Sequence, residues 1–179
     1  TADGFVKLCN TRAREAGTVS YDPNMRPTIM GSADEVRPRV EELVALSDVV
    51  KCSEDDIEWL YPGESASEVM ARWAGLGASL TVVTLGAHGV VWRAGTGDED
   101  GHPALAGEVV DTVGAGDSFM AGLVSGLLDD GLLGSAAARD RLRGAGLDDV
   151  RPAIDRALAT SGITVGHAGA YAPTREELT

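Results

Sequence analysis

The sequence is poor in aromatic residues, histidine and cysteine. Aromatic side chains make up 4% of the 179 residues, so Ala, Val and Leu must fill the interior. The two cysteines, Cys9 and Cys52, exclude a disulfide framework and a cysteine-based metal site, and they indicate reduced thiols in a cytoplasm. The three histidines are too far apart in the sequence to form a recognised ligand motif: His88, His102 and His167.

Positive charge and long hydrophobic runs are also scarce. The chain has 15 Lys and Arg against 28 Asp and Glu, a net charge of −13, which disfavours nucleic acid and anionic membranes as partners. An anionic ligand would need a local site of backbone amides, Mg²⁺ and a few cations. The sequence shows no signal-peptide pattern and no apolar run long enough to cross a membrane. We therefore expect one globular, cytoplasmic domain with a sizeable core.

The glycine-rich segment 109–123 is the part of the sequence around which the rest is organised. Val109-Val110 predicts the end of a buried strand, and Gly114-Ala115-Gly116 predicts a turn that brings bare backbone close to a ligand. A helix should follow, because apolar residues repeat at the spacing of one buried face: Phe119, Met120, Leu123, Val124, Leu127 and Leu128. Gly122 and Gly126 indicate tight packing, since glycine costs a helix about 1 kcal/mol relative to alanine.

The start of this helix is a candidate anion site and a candidate catalytic site. Unpaired N–H groups of the first turn and the positive end of the helix dipole favour an anion. Asp117 lies in the same turn, where it can take a proton from a hydroxyl while charge builds on a transferring phosphoryl group. A plain glycine turn with an aspartate at the helix start explains Gly-x-Gly-Asp equally well. The segment is not a P-loop, since no Lys-Ser or Lys-Thr follows the glycines, and Phe119 spoils a dinucleotide fingerprint.

The complete run from Asp111 to Gly122, Asp-Thr-Val-Gly-Ala-Gly-Asp-Ser-Phe-Met-Ala-Gly, is more specific than its glycines. It closely resembles the C-terminal signature of the ribokinase-like (PfkB) family of carbohydrate kinases. In that family the second aspartate is the base for the sugar hydroxyl, and the amides before it form the anion hole. The resemblance implies the role of base for Asp117 and the anion hole for Gly114, Ala115 and Gly116.

Two segments at the ends of predicted strands extend the resemblance. The first, Asp22-Pro-Asn-Met-Arg-Pro27, follows a strand predicted over residues 18–22 and is by itself a turn signal. It is similar to a segment of the fructokinase and 2-keto-3-deoxygluconate kinase branches. There the Asn and Arg lie near the substrate and the nucleotide phosphates, which implies those roles for Asn24 and Arg26.

The second segment is Lys51-x-x-Glu54, after a strand predicted over residues 48–51 and at the start of a helix that Ser53 should cap. Taken alone, acidic residues in a first turn simply complement the helix dipole. The spacing is similar to the Lys-x-Ser-Asp/Glu version of the motif that organises the water shell of Mg²⁺ in fructokinase-like members. The resemblance implies a Mg²⁺ contact through water for Glu54 and a phosphate contact for Lys51.

The segment from Thr84 to Gly89, Thr-Leu-Gly-Ala-His-Gly, lies between predicted strands 80–84 and 90–92 and is on its own a glycine hairpin. The resemblance implies that Thr84, Gly86 and Gly89 contact ATP. Near the end of the chain, Gly169-Ala170 followed by Pro173 is similar to the family's adenine-side and cation loop. This implies a position near adenine for Leu158 and a monovalent cation, K⁺, near Thr164, His167 and Gly169, with Asp111 and Val113 opposite.

Strands that alternate with helices predict an α/β fold with right-handed crossovers. Helices are expected over residues 5–16, 33–45, 64–76 and from 148 or 149 to 161. Residues 94–107 should form an exposed connection, and residues 132–147 a mobile or partly helical insertion. The resemblance implies a three-layer ribokinase-like fold with a mostly parallel sheet. Residues 1–179 then form the C-terminal nucleotide-binding and catalytic portion, a fragment lacking the N-terminal strands and β lid, and the full-length protein is expected to be a homodimer.

The function implied is that of a sugar kinase that moves the γ-phosphoryl group of ATP, with Mg²⁺, to a hydroxyl of a ketose or sugar acid. Fructose and 2-keto-3-deoxygluconate are the favoured acceptors. Two alternatives stay open. One is a ribokinase, nucleoside or phosphosugar kinase, although the Asp-Pro-Asn-x-Arg segment disfavours a nucleoside. The other is a nucleotide-binding fragment without catalysis.

Overall fold

The computed structural model describes residues 17–105 and 107–178. Its five strands form one sheet in chain order: β1 (Ser20–Tyr21), β2 (Val49–Ser53), β3 (Leu80–Thr84), β4 (Val90–Arg93) and β5 (Glu99–His102). The first three strands are parallel, β4 is antiparallel to β3, and β5 is antiparallel to β4. The predicted α/β class is therefore confirmed. The helix predicted over residues 5–16 lies outside the described residues.

Seven α-helices are described: α1 (Pro27–Met30), α2 (Ala33–Ala45), α3 (Glu54–Leu60), α4 (Ala66–Leu76), α5 (Ala115–Asp129), α6 (Ala136–Arg143) and α7 (Leu147–Val165). Short 3-10 turns cover Gly86–His88 and Arg175–Leu178. Helix α2 has the predicted bounds, and Ser53 caps α3 as expected by accepting a hydrogen bond from the Asp56 N–H. Helix α7 continues four residues beyond the predicted end.

The sheet lies between two layers of helices, because side chains along its strands alternate between two cores. Val49 and Val82 face α5, α6 and α7, in a core that also contains Trp92. Val50 and Val83 face the opposite core, formed with α2, α3 and α4. Near-continuous burial of β2 and β3 is what a parallel sheet covered on both faces requires.

Helices α5 and α7 approach each other closely through two glycines, as predicted. A Cβ atom on Gly122 would lie 2.6 Å from Oγ1 of Thr160, and one on Gly126 would lie 2.6 Å from Cα of Ala153. The buried face of α5 is narrower than predicted, since Leu128 is 49% exposed. Small residues rather than large ones therefore form the seam that fixes α5 against α7.

The prediction of a buried strand at Val109-Val110 is wrong. Both residues lie in irregular chain, and their side chains are 62% and 57% exposed. The Val110 N–H donates to the carbonyl of Val165 at the end of α7, so it is not available to a neighbouring strand. β-Branched residues favour a strand only where a ladder partner is present.

A strand lies in the segment that was predicted to be an exposed connection, and the segment predicted to be mobile or partly helical is partly helical. Residues 94–107 include β5, which pairs with β4 although its sequence, Glu-Asp-Gly-His, has little strand propensity. Residues 132–147 include α6, whose Arg139 forms a 3.0 Å ion pair with the nearly buried Asp48. Among the described helices, none is both long and apolar enough to cross a membrane.

Candidate active site

The carboxyl ends of the parallel strands and the start of α5 border one cavity of about 350 Å³. Such an edge is where open α/β sheets bind ligands. The cavity brings together seven of the residues that the sequence predicts for the site, which come from four separate segments: Asn24, Arg26, Lys51, Glu54, Thr84, Gly86 and Gly116.

Lys51 places a buried ammonium group on the wall of this cavity, beside Gly116. Its Nζ atom donates a 2.9 Å hydrogen bond to Oδ2 of Asp22 and lies 3.1 Å from the position that a Cβ atom on Gly116 would occupy. Within the described chain, Asp22 alone accepts a hydrogen bond from this ammonium. Because an ammonium carries three N–H groups, two remain for a ligand.

Asp22 also organises the turn after β1. Its Oδ1 atom accepts from the Asn24 N–H at 3.1 Å, in an Asx turn that supports the positive φ of 45° at Asn24. Arg26 in turn donates to Oδ1 of Asn24 at 2.6 Å. Burial raises the pKa of the Asp22 carboxyl, and the nearby Asp56 raises it further, while the pairing with Lys51 opposes both.

The first turn of α5 offers backbone donors to the same cavity. Gly114 begins the helix at a φ of 80°, and a Cβ atom there would lie 2.9 Å from Cβ of Ala170. The Ala115 N–H is already used, since it donates to the Thr112 carbonyl at 3.2 Å. The N–H groups of Gly114, Gly116 and Asp117 have no acceptor among the described residues, so they are open to a ligand.

Asp117 itself is exposed at this turn. Its carboxylate forms no hydrogen bond or ion pair with any residue in the described ranges, and it does not line the cavity that contains Lys51. A ligand hydroxyl can therefore reach this carboxylate from the solvent side.

A second, mostly apolar pocket of about 300 Å³ opens next to the first one and shares Thr84, Gly86 and Gly116 with it. Its walls include residues from the ends of α5 and α7 and from the chain before α5: Leu105, Val109, Phe119, Leu158, Ser161 and Val165. The predicted ATP contact Gly89 lies here too, where the backbone of β5 occupies the space that a side chain would need. No charged side chain of the described residues lines this pocket.

Glu54 fits the predicted Mg²⁺ role in position and exposure. It opens α3, its side chain is exposed, and its Oε1 atom is 3.9 Å from the position of a Cβ atom on Gly86. Over residues 17–105 and 107–178, no group of three His, Cys, Asp or Glu side chains could hold a metal ion by itself. Proteins usually bind Mg²⁺ through one or two carboxylates together with substrate phosphates and water.

The segments predicted to hold a monovalent cation lie against each other. Asp111 accepts hydrogen bonds from the Val113 N–H at 3.0 Å and from the Gly169 N–H at 2.9 Å, and these bonds lower the pKa of its carboxyl. Oγ1 of the fully buried Thr164 lies 2.7 Å from Oγ of Ser118 and 3.0 Å from the Tyr171 carbonyl. His167 is exposed and stacks on Tyr171, with ring centroids 4.0 Å apart.

Sequence reasoning missed Asp22 and Asp56 as members of the site. Asp56 accepts hydrogen bonds from the Ser53 N–H and from the Met25 N–H, both at 2.9 Å, and so joins α3 to the turn after β1. The available signal was the position of Asp22 at the carboxyl end of a predicted strand and of Asp56 in the first turn of the helix that follows the next strand. Neither contact is visible in the sequence, since the partners of each long-range bond are about 30 residues apart.

Known proteins resemble this chain over nearly all of its length. A family model described as pfkB family carbohydrate kinase matches residues 5–177. An ATP-dependent 6-phosphofructokinase of Thermoanaerobacterium thermosaccharolyticum is 38% identical over 111 residues, which are 62% of this chain and 34% of that protein. A fructokinase of Rhizobium leguminosarum is 38% identical over 125 residues, 67% of this chain and 37% of that protein. The chain thus spans about a third of the length of these relatives.

Solved structures agree on the fold. An aminoimidazole riboside kinase from Salmonella enterica, in complex with aminoimidazole riboside and an ATP analogue, superposes with a TM-score of 0.77 at 29% identity. The match covers 97% of this chain and 55% of that one. A ribokinase from Thermotoga maritima superposes with a TM-score of 0.67 at 23% identity, over 97% of this chain and 50% of that one. The three-layer fold is therefore ribokinase-like, as predicted.

Proposed function

Because this chain belongs to the pfkB family of carbohydrate kinases, we propose that it supplies the nucleotide site and the catalytic base of an ATP-dependent sugar kinase. The observation that carries the proposal is a continuous surface of three parts. An apolar pocket, a buried ammonium and the open N–H groups of a helix start follow one another around Gly116. These three parts complement, in order, the nucleobase, the phosphates and the transferring phosphoryl group of a nucleotide.

In this proposal Asp117 accepts the proton of the sugar hydroxyl, and its exposure leaves it open to that hydroxyl. The backbone of Gly114-Ala115-Gly116 forms the anion hole, with the Gly114, Gly116 and Asp117 N–H groups as the donors free of other partners among the described residues. Lys51 neutralises charge on the phosphates, and Arg26 with Asn24 contacts phosphate or substrate from the rim of the cavity. These donors act on charge that increases during transfer, which is how preorganised groups lower the barrier.

The base end of the nucleotide is assigned to the apolar pocket, with Thr84, Gly86, Gly89 and Leu158 among its walls. Mg²⁺ would be held by the phosphates and, through water, by Glu54, and it would supply charge neutralisation between the phosphoryl groups. We also assign a K⁺ site to the contact between the two loops, formed by residues Asp111, Val113, Thr164, His167 and Gly169. The hydrogen bond from Gly169 to Asp111 supports this proximity.

We take a hydroxyl of a ketose or sugar acid as the acceptor, with fructose and 2-keto-3-deoxygluconate favoured. A relative described as a fructokinase supports the first choice. A phosphosugar acceptor is the second candidate, because a relative of equal identity is described as a 6-phosphofructokinase. The similarity to a riboside kinase structure adds a ribose-type acceptor, which the Asp-Pro-Asn-x-Arg segment does not by itself exclude. The reaction is placed in the cytoplasm, without nucleic acid or membrane as partner, and the full-length protein is expected to be a homodimer.

The test is a phosphorylation screen of the complete protein encoded by the reading frame that contains this sequence. Fructose, fructose 6-phosphate, ribose, 2-keto-3-deoxygluconate and aminoimidazole riboside are offered with ATP and Mg²⁺, and ADP release is measured beside the intact mass of the protein. Turnover of one sugar supports the kinase. Tight ATP binding without turnover of any acceptor would favour the remaining alternative, a nucleotide-binding unit without catalysis.

A further inference from the structure

We propose that Asp22 is a positioning residue of this site, which acts on the phosphoryl groups through Lys51 without touching them. The inference rests on the proposed function, because it takes Lys51 as the phosphate contact. It goes beyond it by assigning a role to a carboxylate that follows β1 and lies 29 positions away from its partner.

The ion pair is enclosed. The side chain of Lys51 is 5% exposed and that of Asp22 is 17% exposed, with 2.9 Å between Nζ and Oδ2. A lysine that is buried with a single acceptor keeps two unused N–H groups, and burial of unused donors is costly. The ammonium that carries them lines the cavity beside Gly116.

The surroundings of Lys51 indicate that the ion pair with Asp22 contributes little to the stability of the fold. Its ammonium lies against the first turn of α5, where the helix dipole is positive, so two positive features stand side by side. A buried pair of opposite charges contributes little net stability, since desolvation offsets the attraction. An anion in the cavity reverses this balance, because it would face the ammonium and the helix start together. The site therefore gains from Lys51 only when an anion is bound, and Asp22 holds Lys51 in place until then.

The same carboxylate also fixes the rim of the cavity. While Oδ2 of Asp22 holds Lys51, Oδ1 accepts from the Asn24 N–H, and Asn24 accepts from Arg26. One side chain thus holds Lys51 directly and supports the turn from which Arg26 reaches the cavity. Asparagine at position 22 would keep the turn but lose the charge that holds Lys51.

The first experiment measures ATP and adenosine affinity in the wild type and in Asp22→Asn, using the complete protein. We expect the variant to bind ATP about 10- to 100-fold more weakly, since misplacement of a phosphate-binding group is costly. Adenosine affinity should stay within about twofold, because adenosine has no phosphate for Lys51 to meet. The matched control is Asp34→Asn, which removes an exposed ion pair with Arg37 and should leave both affinities unchanged.

A double variant separates positioning from a structural role. Asp22→Asn alone leaves a buried unpaired ammonium and should lower the melting temperature, whereas Asp22→Asn with Lys51→Met removes both charges and should restore it. If Asp22 acts on the phosphates only through Lys51, the double variant regains stability and binds ATP as weakly as Lys51→Met alone, so that Asp22→Asn adds no further loss once Lys51 is removed. Full recovery of ATP affinity in the double variant would overturn the inference, and so would equal loss of adenosine and ATP affinity in Asp22→Asn. A wild type that binds no nucleotide at all would instead overturn the proposed function.

Discussion

The Oδ2 atom of Asp111 accepts a hydrogen bond from the N–H of Gly169 at 2.9 Å and so joins the start of the glycine-rich motif to the loop after α7. The other oxygen of the carboxylate holds the Val113 N–H at 3.0 Å. Both bonds are stronger to the ionised carboxylate and so hold the pKa of the Asp111 carboxyl below its usual range.

This contact should depend on pH. A carboxyl whose pKa is lowered in the folded state contributes stability above its unfolded pKa, about 3.9, and loses it as the pH falls through the folded pKa. Asp111→Asn should therefore melt below the wild type at pH 7, and the difference should shrink as the pH falls below about 4. Melting temperatures from pH 7 to pH 3 check this. A difference that stays constant across that range would show that the charge of Asp111 plays no part.

Gly114 should not tolerate a side chain. Its φ of 80° costs an L-residue about 1–2 kcal/mol, and a Cβ atom would lie 2.9 Å from Ala170. Gly114→Ala is expected to lower the melting temperature and to weaken ATP binding, because it pushes the loop that carries Ala170 away from α5. The matched control is Gly107→Ala, where a Cβ atom meets nothing within 4 Å. Equal behaviour of the two variants would contradict the close approach.

Two helical glycines should respond in opposite directions to alanine. In α5, a Cβ atom on Gly126 would lie 2.6 Å from Cα of Ala153, so Gly126→Ala must separate α5 from α7 and should destabilise the fold. In α4, Gly75 is exposed and a Cβ atom there meets nothing within 4 Å, so Gly75→Ala should stabilise by up to about 1 kcal/mol. Chemical denaturation of both variants checks the pair. Stabilisation by Gly126→Ala would mean that the two helices are farther apart than described.

The apolar pocket predicts weak discrimination between purine bases. Its only polar side-chain groups among the described residues are a few hydroxyls. One of these, the Thr84 hydroxyl, already donates a 3.3 Å hydrogen bond to the Cys52 carbonyl. Strong discrimination requires buried polar groups that the wrong ligand leaves unpaired. We expect GTP and ATP to bind within about tenfold of each other, measured by competition for the same site. A preference for ATP above about a hundredfold would show that backbone groups of the pocket select adenine.

Several elements of the fold could be predicted because their signals are local. The apolar stripe and the capping box of α2 lie within its own sequence, and Ser53 with Asp56 marks the start of α3. Strand β5 could not be predicted in this way. Its pairing with β4 is supported by the ion pair from Arg93 to Glu99 across the hairpin and by one with a distant partner, from Arg151 to Asp100.

The sequence predicts the motif residues of the candidate site, but it does not predict the hydrogen bonds and ion pairs between them. Lys51, Glu54 and Gly116 lie in one cavity because parallel strands end at one edge of the sheet. The pairing of Lys51 with Asp22 depends on the register between β1 and β2, in which Tyr21 lies opposite Val50. No pattern in the sequence encodes that register directly. At Val109 a local pattern was misleading: the β-branched residues predict a strand, but the residue lies in the wall of the apolar pocket.

The most direct test of the account is the turnover and ATP affinity of Asp117→Asn in the complete protein, with the sugar identified by the screen. Asparagine keeps the size and exposure of the side chain but cannot accept the proton, so kcat should fall by about 10²- to 10⁴-fold while the dissociation constant for ATP stays within about threefold. The control is Asp155→Asn, an exposed aspartate in the middle of α7 that should leave both quantities unchanged. Turnover near that of the wild type in Asp117→Asn would contradict the assignment of the base, and with it the catalytic role proposed for this chain.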